Sequence, residues 1–403
     1  MSTAVSPERV EALVSPDEIT ALARSLVAIP SFGPEHGWES GVAAALEDLL
    51  RAEGIPTRRQ PVDDGRENLI GVLPGARDGP PLLILNGHMD TVPPSSLMAR
   101  PPFAAEVAGG ELWGRGAADM KAGLAAMVMA AVALHRAAVR PPRPVVLAAV
   151  AMEEMGNVGT HVFAEDLVAS GAQASGAVVG EPTGLGLVTA HKGVDRYRVT
   201  VFGRAAHGAT PEHGCNAIVR ASRLIVALEE QVIRRAPPHT HPLLGRPTYN
   251  IGTIHGGTSR NTVPDRCTFQ IEKRYLPGER VSQFREELEA VVARSIGREG
   301  AELVHESGFD RIPHRPLDIA PDHALVAALA AAVAEVTGRA PQTFGWPAFT
   351  DAAILQAHGI PAVVCGPGEL ARAHADDERV PLAQIADAVR IYVRLVLRLA
   401  GMA

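Results

Sequence analysis

The sequence predicts an α/β protein in which a second, smaller domain is inserted into the first. Residues 17 to 190 alternate helical patterns with short apolar runs, and the same pattern returns after residue 313. The segment between these two regions has a different order of strands and helices. The chain of 403 residues is also too long for one ordinary core, because domains usually contain about 100 to 200 residues.

The elements of the first domain follow from apolar runs and from residues that begin or end helices. Its predicted strands are continuously apolar, as expected when helices cover both faces of a parallel sheet. They span 82–85, 145–152, 177–179 and 362–365. Its predicted helices combine a helical apolar period with boundary residues such as Pro16, Gly54 and Gly338. They span 17–28, 39–53, 120–138, 324–337 and 382–399.

The inserted segment differs from the first domain, because its predicted strands alternate in character and arrive in another order. Its elements are a strand at 196–202, a helix at 216–233, strands at 250–254 and 267–275, a helix at 281–296 and a strand at 301–305. This β-α-β-β-α-β order is that of the ferredoxin-like fold. The predicted domains are therefore 1–190 and 313–403 for the first, with 191–312 inserted between them.

Composition and charge exclude several classes of partner. The net charge is −7, only 4% of residues are aromatic and the arginines are scattered, which argues against a nucleic-acid-binding surface. The N-terminus has neither a basic start nor an apolar core, and we expect no membrane span, so the expected location is the cytoplasm. The three cysteines are widely separated and predict no disulfide framework. Any bound metal must then use His, Asp and Glu.

Possible metal ligands follow several of the predicted apolar strands. Ligands bind outside the carboxyl ends of strands in open α/β sheets, so the residues after each run are the ones of interest. An aspartate before a helix is also a common N-cap, and a lone His-Asp pair is commonly a surface ion pair. The candidates are His88 and Asp90, Asp119, the pair Glu153 and Glu154, Glu181, and His374 after Gly366-Pro367-Gly368.

Two histidines and three carboxylates at one edge of a sheet suit a pair of borderline divalent cations such as zinc. One carboxylate would bridge the two ions, and an open position would hold water. Two such ions favour hydrolysis of an acyl bond, for which a carboxylate beside a ligand serves as general base. The adjacent Glu153 and Glu154 provide one base and one ligand, and Asp90 is placed to orient His88.

Six motifs, in order and over nearly the whole chain, carry a family resemblance. They are NGHMDTVP, GRGAADMKAG, EEMGNVGT, GEPT, GRAAHGATPEHGCNAI and GPGELARAHADDE. Together they resemble the dinuclear zinc amidohydrolase and exopeptidase family, which includes acetylornithine deacetylase, succinyl-diaminopimelate desuccinylase, aminoacylase and carboxypeptidase G. The resemblance implies a zinc-exopeptidase-like α/β catalytic domain with an inserted ferredoxin-like lid and dimerisation domain.

The resemblance also implies a role for each metal-site residue. His88, Asp119 and Glu181 would bind one zinc, and Asp119, Glu154 and His374 the other, so that Asp119 bridges them. Glu153 would be the general base, and Asp90 would support His88 without binding metal. Cobalt or manganese are alternatives to zinc.

In the inserted domain, the resemblance implies three further residues. His207 is similar to a histidine that reaches the active site of the partner subunit of a homodimer and stabilises the oxyanion. Arg274 and Asn261 resemble substrate-binding positions, and an arginine suits a carboxylate. The alternatives are a structural histidine in a turn and a solvated arginine. Other histidines have no ligand context and are expected on the surface or in loops: His161, His213, His239, His241 and His255.

The expected function is hydrolysis of the amide bond of an N-acyl amino acid by water that a zinc pair activates. The expected partners are this small substrate or a short peptide, and a second copy of the chain. A dipeptidase, a carboxypeptidase or a ureido-amide hydrolase on the same fold is the alternative within enzymes. A non-catalytic binding protein is the alternative outside them, although such a protein has no chemical need for Glu153 beside Glu154.

Overall fold

The computed structural model describes residues 5–63, 65–234, 240–306 and 314–402. They form two units, each with its own core. The main unit contains the chain up to Thr189 together with Asp318–Gly345 and the chain from Thr350. The inserted unit contains Ala190–Leu317 and the short segment Trp346–Phe349.

The helices and strands of the described residues are numbered along the chain. The helices are α1 Pro7–Glu11, α2 Pro16–Val27, α3 Ser40–Ala52, α4 Ala122–Arg136, α5 Val158–Ala169, α6 Ala217–Leu228, α7 Val281–Ile296, α8 Ala324–Thr337, α9 Asp351–Ala357 and α10 Leu382–Leu399. The strands are β1 Thr57–Asp63, β2 Arg66–Leu73, β3 Leu83–His88, β4 Glu106–Ala108, β5 Glu111–Trp113, β6 Val145–Val150, β7 Ala177–Val179, β8 Leu187–His191, β9 Gly193–Phe202, β10 Thr248–Gly256, β11 Arg266–Tyr275, β12 Ala301–His305, β13 Leu317–Asp318, β14 Thr343–Trp346, β15 Ala362–Val364 and β16 Arg379–Pro381.

The large sheet of the main unit has a parallel centre. Its order is β1-β2-β6-β3-β7-β15-β8-β13, and β14 pairs with β8. Strand β3 runs parallel to β6 and β7, and β15 runs parallel to β7. All residues of these four strands are buried, which explains why β6, β7 and β15 are continuously apolar and why β3 begins with an apolar run. The carboxyl ends of the four strands therefore meet at one edge.

Helix α4 forms the centre of the main core. By length and composition, Ala117–Arg136 is apolar enough to cross a membrane, so the expectation of no such stretch is wrong for this segment. However, 94% of its most apolar window is buried inside the protein, where α4 packs against α2 and α10. A helix that is apolar on all sides is typical of such a buried core position.

The inserted unit has the predicted β-α-β-β-α-β order. Its sheet has the order β10-β11-β9-β12, and every neighbouring pair is antiparallel. Helices α6 and α7 pack on one face of the sheet and bury a core that includes Phe269, Phe284 and Leu288. The predicted α/β fold class is confirmed.

Several element boundaries differ from the predicted ones for identifiable reasons. The helix predicted from residue 120 begins at Ala122, because Asp119 and Met120 have non-helical backbone angles. The helix predicted over 216–233 is α6 followed by a π-helical turn, Glu229–Ile233. The polar edge strand β1 and the short helix α9 are absent from the prediction, because neither has the apolar run or the length that identifies an element.

Candidate metal centre

The candidate ligands converge because parallel neighbouring strands deliver them to one edge. Strand β3 ends at His88, which lies opposite Val150 at the end of β6. Glu153 and Glu154 follow β6, Glu181 follows β7, and the chain after β15 leads to His374. Asp119 comes from the turn that precedes α4. The register of four strands thus determines which side chains meet.

One group of possible ligands consists of His88, Asp119 and Glu181. Nε2 of His88 lies 2.9 Å from Oδ1 of Asp119 and 3.8 Å from Oε1 of Glu181. One donor atom from each residue lies within 4.8 Å of the others. His88 is 1% exposed, so this group is closed to bulk water on the side of the sheet.

A second group consists of Asp119, Glu154 and His374. Nε2 of His374 lies 2.9 Å from Oε1 of Glu154 and 3.2 Å from Oδ2 of Asp119. The two oxygens of Asp119 therefore face different histidines, which is the arrangement that a bridging carboxylate requires. The side chain of His374 is half exposed, so this group is open to solvent.

The electrostatics of the cluster favour bound cations. Burial, together with neighbouring carboxylates, raises the pKa of Glu153 and of Glu181 well above the usual value. Hydrogen bonds with Asp119 and then Glu154 raise the pKa of His374 to about 10. Protons on these side chains thus offset the negative charge of the clustered carboxylates. Divalent cations would do the same, and the set of imidazole and carboxylate donors fits two ions of the zinc type.

Asp90 supports the centre differently from the sequence-based expectation. Nδ1 of His88 lies 2.9 Å from the backbone carbonyl oxygen of Asp90 and 3.6 Å from its carboxylate oxygen Oδ1. The carboxylate accepts hydrogen bonds from the backbone N–H groups of Glu153, at 3.1 Å, and Glu154, at 3.0 Å. Asp90 therefore fixes His88 through its main chain and the Glu153-Glu154 turn through its side chain.

Asn157 is a residue that the sequence reasoning missed. Its Nδ2 donates to Oε1 of Glu153 at 2.8 Å and to Oδ1 of Asp351 at 2.9 Å. Asn157 has φ of 58°, a left-handed conformation that asparagine tolerates better than most residues. The interval of four residues from Glu153 to Asn157 is the signal that could have revealed this contact.

A buried ion pair between Arg115 and Glu378 holds the backbone of the centre. Oε1 of Glu378 accepts hydrogen bonds from the backbone N–H groups of Ala118, at 3.0 Å, and Asp119, at 3.2 Å. The other carboxylate oxygen accepts from Arg115, whose Nη2 also lies 3.4 Å from the carbonyl oxygen of His374. Both side chains are almost fully buried. Sequence reasoning missed this pair because 263 positions separate its members.

Glycines allow the ligand loops to approach each other closely. A Cβ at Gly123 would lie 2.1 Å from the carbonyl oxygen of Gly180, and one at Gly366 would lie 2.2 Å from the same atom. Any larger residue at either position would displace Gly180, which directly precedes Glu181. The small residues in the predicted motifs thus have a steric function at the centre.

Two of the three candidate residues of the inserted unit, His207 and Asn261, are neighbours. His207 is exposed, and its Nδ1 accepts a hydrogen bond of 3.1 Å from the backbone N–H of Ala209. Asn261 lies beside it, since the backbone N–H of Gly208 donates to the carbonyl oxygen of Asn261 at 2.7 Å. Arg274 lies on β11 and forms an ion pair of 2.9 Å with Glu272.

The histidines without a predicted role differ in their positions. His213 and His255 are exposed, His241 lies in a loop, and His239 is outside the described residues. His161 differs, because it lies on helix α5 with Glu165 and His358 around it. The expectation of a surface or loop position without ligand context is wrong for this residue.

Two donor groups that share one aspartate, beside the partly buried Glu153, have the arrangement of a dinuclear metallohydrolase centre. Residues 84–398 match the model of peptidase family M20/M25/M40, and the chain belongs to this family.

Individual relatives agree with this assignment. The chain is 34% identical over 370 residues to acetylornithine deacetylase from Myxococcus xanthus, covering 87% of this chain and 90% of the relative. It is 29% identical over 400 residues to a probable carboxypeptidase from Aspergillus clavatus, covering 96% and 83% of the two chains. The M20 family metallo-carboxypeptidase Sso-CP2 from Sulfolobus solfataricus has the same fold, with a TM-score of 0.78 at 18% identity, covering 96% of this chain and 100% of the other.

Proposed function

We propose that the chain hydrolyses the amide bond of an N-acyl amino acid, with two zinc ions as cofactors. The observation that carries this proposal is the position of Asp119, whose two carboxylate oxygens lie 2.9 Å from Nε2 of His88 and 3.2 Å from Nε2 of His374. His88, Asp119 and Glu181 would hold one ion, and Asp119, Glu154 and His374 the other. When bound, such a pair activates water and polarises the amide carbonyl.

Glu153 is the proposed general base. Its carboxylate accepts the proton of the attacking water while the new carbon–oxygen bond forms, and returns this proton to the amine nitrogen as the carbon–nitrogen bond breaks. A base with a raised pKa suits both steps, because it must bind and release the same proton near neutral pH. Asn157 holds one carboxylate oxygen of Glu153 and leaves the other for the water.

The test of this role is the isosteric substitution Glu153→Gln. We expect metal content to stay nearly unchanged and turnover to fall by about 10²- to 10⁴-fold, since proton transfer is lost. Glu302→Gln, on the exposed surface of β12, is the matched control and should keep full activity. Wild-type turnover in Glu153→Gln would refute the assignment.

A substrate panel tests the proposed reaction. Metal-loaded protein is offered N-acetylornithine, N-succinyl-diaminopimelate, N-acetyl and N-formyl amino acids, ureido amides and dipeptides, and the released amine is detected with ninhydrin. Turnover of the acyl amino acids alone supports the proposal, and the acetylornithine deacetylase relative makes N-acetylornithine the first expectation. Turnover of peptides alone would favour the peptidase alternative, which the carboxypeptidase relative supports. No turnover at all would favour a binding protein.

We further propose that the chain is a homodimer in which His207 of one subunit stabilises the oxyanion in the other. Because Nδ1 of His207 accepts a hydrogen bond from Ala209, the proton is on Nε2, which is then a free donor. Strand β10 is an edge strand and carries the exposed Ile254, and the exposed Ile218 of α6 lies beside Gly256 at the end of the same strand. Both features suit contact with a second copy.

Sedimentation tests the oligomeric state, and kinetics test the proposed function of His207. We expect a dimer in sedimentation and a loss of turnover in His207→Ala with metal content unchanged. His213→Ala replaces another exposed histidine of the same unit and serves as control. A monomer that is fully active at high dilution would remove the proposed function of His207. Asn261 and Arg274 remain proposed substrate contacts, for which a raised KM in Arg274→Met is the expected result.

A further inference from the structure

Helices α5 and α9 bring two histidines and a glutamate together, outside the candidate metal centre. His161 and Glu165 lie one turn apart on α5, and His358 follows the last residue of α9. We propose that His161, Glu165 and His358 form a third metal site, which binds zinc or another divalent cation that prefers imidazole, such as nickel or copper. This site shares no residue with the candidate centre and does not depend on the proposed function.

The distances suit coordination of a single ion. One donor atom from each of the three residues lies within 4.8 Å of the others. Nε2 of His161 lies 3.2 Å from Oε1 of Glu165, and the two imidazole rings have centroids 5.1 Å apart. Zinc holds such donors at about 2.0 to 2.2 Å, which separates neighbouring donors by roughly 3.5 Å, so a small rotation of the side chains closes the site.

The hydrogen bonds of the two histidines favour metal binding. Nδ1 of His358 lies 2.9 Å from the carbonyl oxygen of Ile354, so this nitrogen donates and leaves the Nε2 lone pair free. Metal-bound histidines usually have such a partner on the other nitrogen. In His161 the nitrogen that faces Glu165 is Nε2, while Nδ1 is buried and has no hydrogen-bond partner among the described residues.

Charge and access also suit a cation. The group offers two imidazole nitrogens and one carboxylate oxygen, a donor set that borderline divalent cations prefer. The side chain of Glu165 is 61% exposed, which lets an ion enter from solvent and keep a water ligand. The simpler alternative is a His161–Glu165 ion pair with a packed His358 ring, which would bind no ion.

An ion at this site would join the two helices that support Glu153. Helix α5 follows Asn157, and α9 begins at Asp351. Nδ2 of Asn157 donates hydrogen bonds to the carboxylates of both Asp351 and Glu153. The third site lies on the same pair of helices, so metal binding there should stabilise the folded protein.

The test is the number of metal ions per chain. Metal-free protein is dialysed against zinc at a buffered low-micromolar free concentration, and bound zinc is measured by elemental analysis. We expect three ions per chain in the wild type and two in His358→Gln and in the surface variant Glu165→Gln. His213→Gln, which replaces an exposed histidine of the inserted unit, should keep three.

Two further measurements separate this proposal from the proposed function. In the Asp119→Ala background, where the dinuclear centre is disabled, one ion should still bind and should disappear in the double variant with His358→Gln. Zinc should raise the melting temperature of Asp119→Ala but not that of the double variant. Equal zinc content in the wild type and His358→Gln would overturn the third site, whatever the result for catalysis.

Discussion

The carboxylate of Asp90 accepts a hydrogen bond of 3.0 Å from the backbone N–H of Glu154, while the backbone carbonyl of Asp90 lies 2.9 Å from Nδ1 of His88. One residue therefore supports the two halves of the centre by different atoms. The side chain of Asp90 binds the backbone of the turn after β6, and its main-chain carbonyl contacts His88 at the end of β3.

The substitution Asp90→Asn separates these two functions. The carbonyl contact with His88 remains, but an amide can accept only one of the two N–H groups of Glu153 and Glu154, and its own N–H₂ group faces the other. We expect the ions to remain bound and kcat/KM to fall by about 10- to 100-fold. His88→Ala, by contrast, should lose the ion of the His88 group outright. Metal analysis of both variants checks this, and loss of both ions in Asp90→Asn would contradict it.

The substitution Asn157→Gly removes the amide that holds Glu153 and keeps the backbone unstrained. Glycine tolerates the φ of 58° at this position, whereas alanine would not. We expect kcat to fall by about 10-fold or more with KM nearly unchanged, because the base loses its orientation. Loss of a donor to the carboxylate also raises the pKa of Glu153, so the acidic limb of the pH profile should move to higher pH. An unchanged profile with a raised KM would point to a purely structural effect.

Removal of the charge of Glu378 should destabilise the protein strongly. Glu378→Gln leaves Arg115 as a buried, unpaired cation, which costs about 3 to 5 kcal/mol of unfolding free energy. The control is Glu289→Gln in the exposed pair with Arg285, which should cost less than about 1 kcal/mol. Urea denaturation of both metal-free variants provides the comparison. Equal midpoints would show that the buried pair does not hold the turn at Asp119.

The substitution Gly123→Ala tests the close approach of α4 to the loop before Glu181. In an open helix this change would add about 0.5 to 1 kcal/mol of stability. Here the new Cβ would lie 2.1 Å from the carbonyl oxygen of Gly180, so we expect a net loss of about 1 to 3 kcal/mol and weaker metal binding through Glu181. Gly252→Ala, where a Cβ meets only the Asn250 side chain at 3.4 Å, is the control. A stabilised Gly123→Ala protein would contradict the steric argument.

The sequence predicted the residues whose position follows from strand ends. His88, Glu154 and Glu181 follow buried apolar runs, and the register of parallel strands brings them together without further information. Asp119 and His374 were also candidates, from the segment before a helix and from the loop after the last apolar strand, but their roles needed the family resemblance because neither directly follows a strand.

The supporting contacts could not be predicted, because they join positions that are far apart in the chain. Nothing local in Arg115 or Glu378 indicates that the two form a buried pair 263 positions apart. The same holds for His161, which was expected on the surface or in a loop and lies beside His358 because α5 and α9 pack together. Hydrophobic periodicity predicts which face of a helix or strand is buried, but not which other element packs against that face.

The wide separation of Glu154 and His374 along the chain also has a consequence for biosynthesis. The two side chains meet at 2.9 Å although 220 positions separate them. A ribosome-bound chain that ends before His374 would carry the acidic residues of the centre without one of its histidines and without the Glu378 support. Metal acquisition should therefore be a late event in maturation, and fragments released early should bind ions poorly and be open to proteolysis.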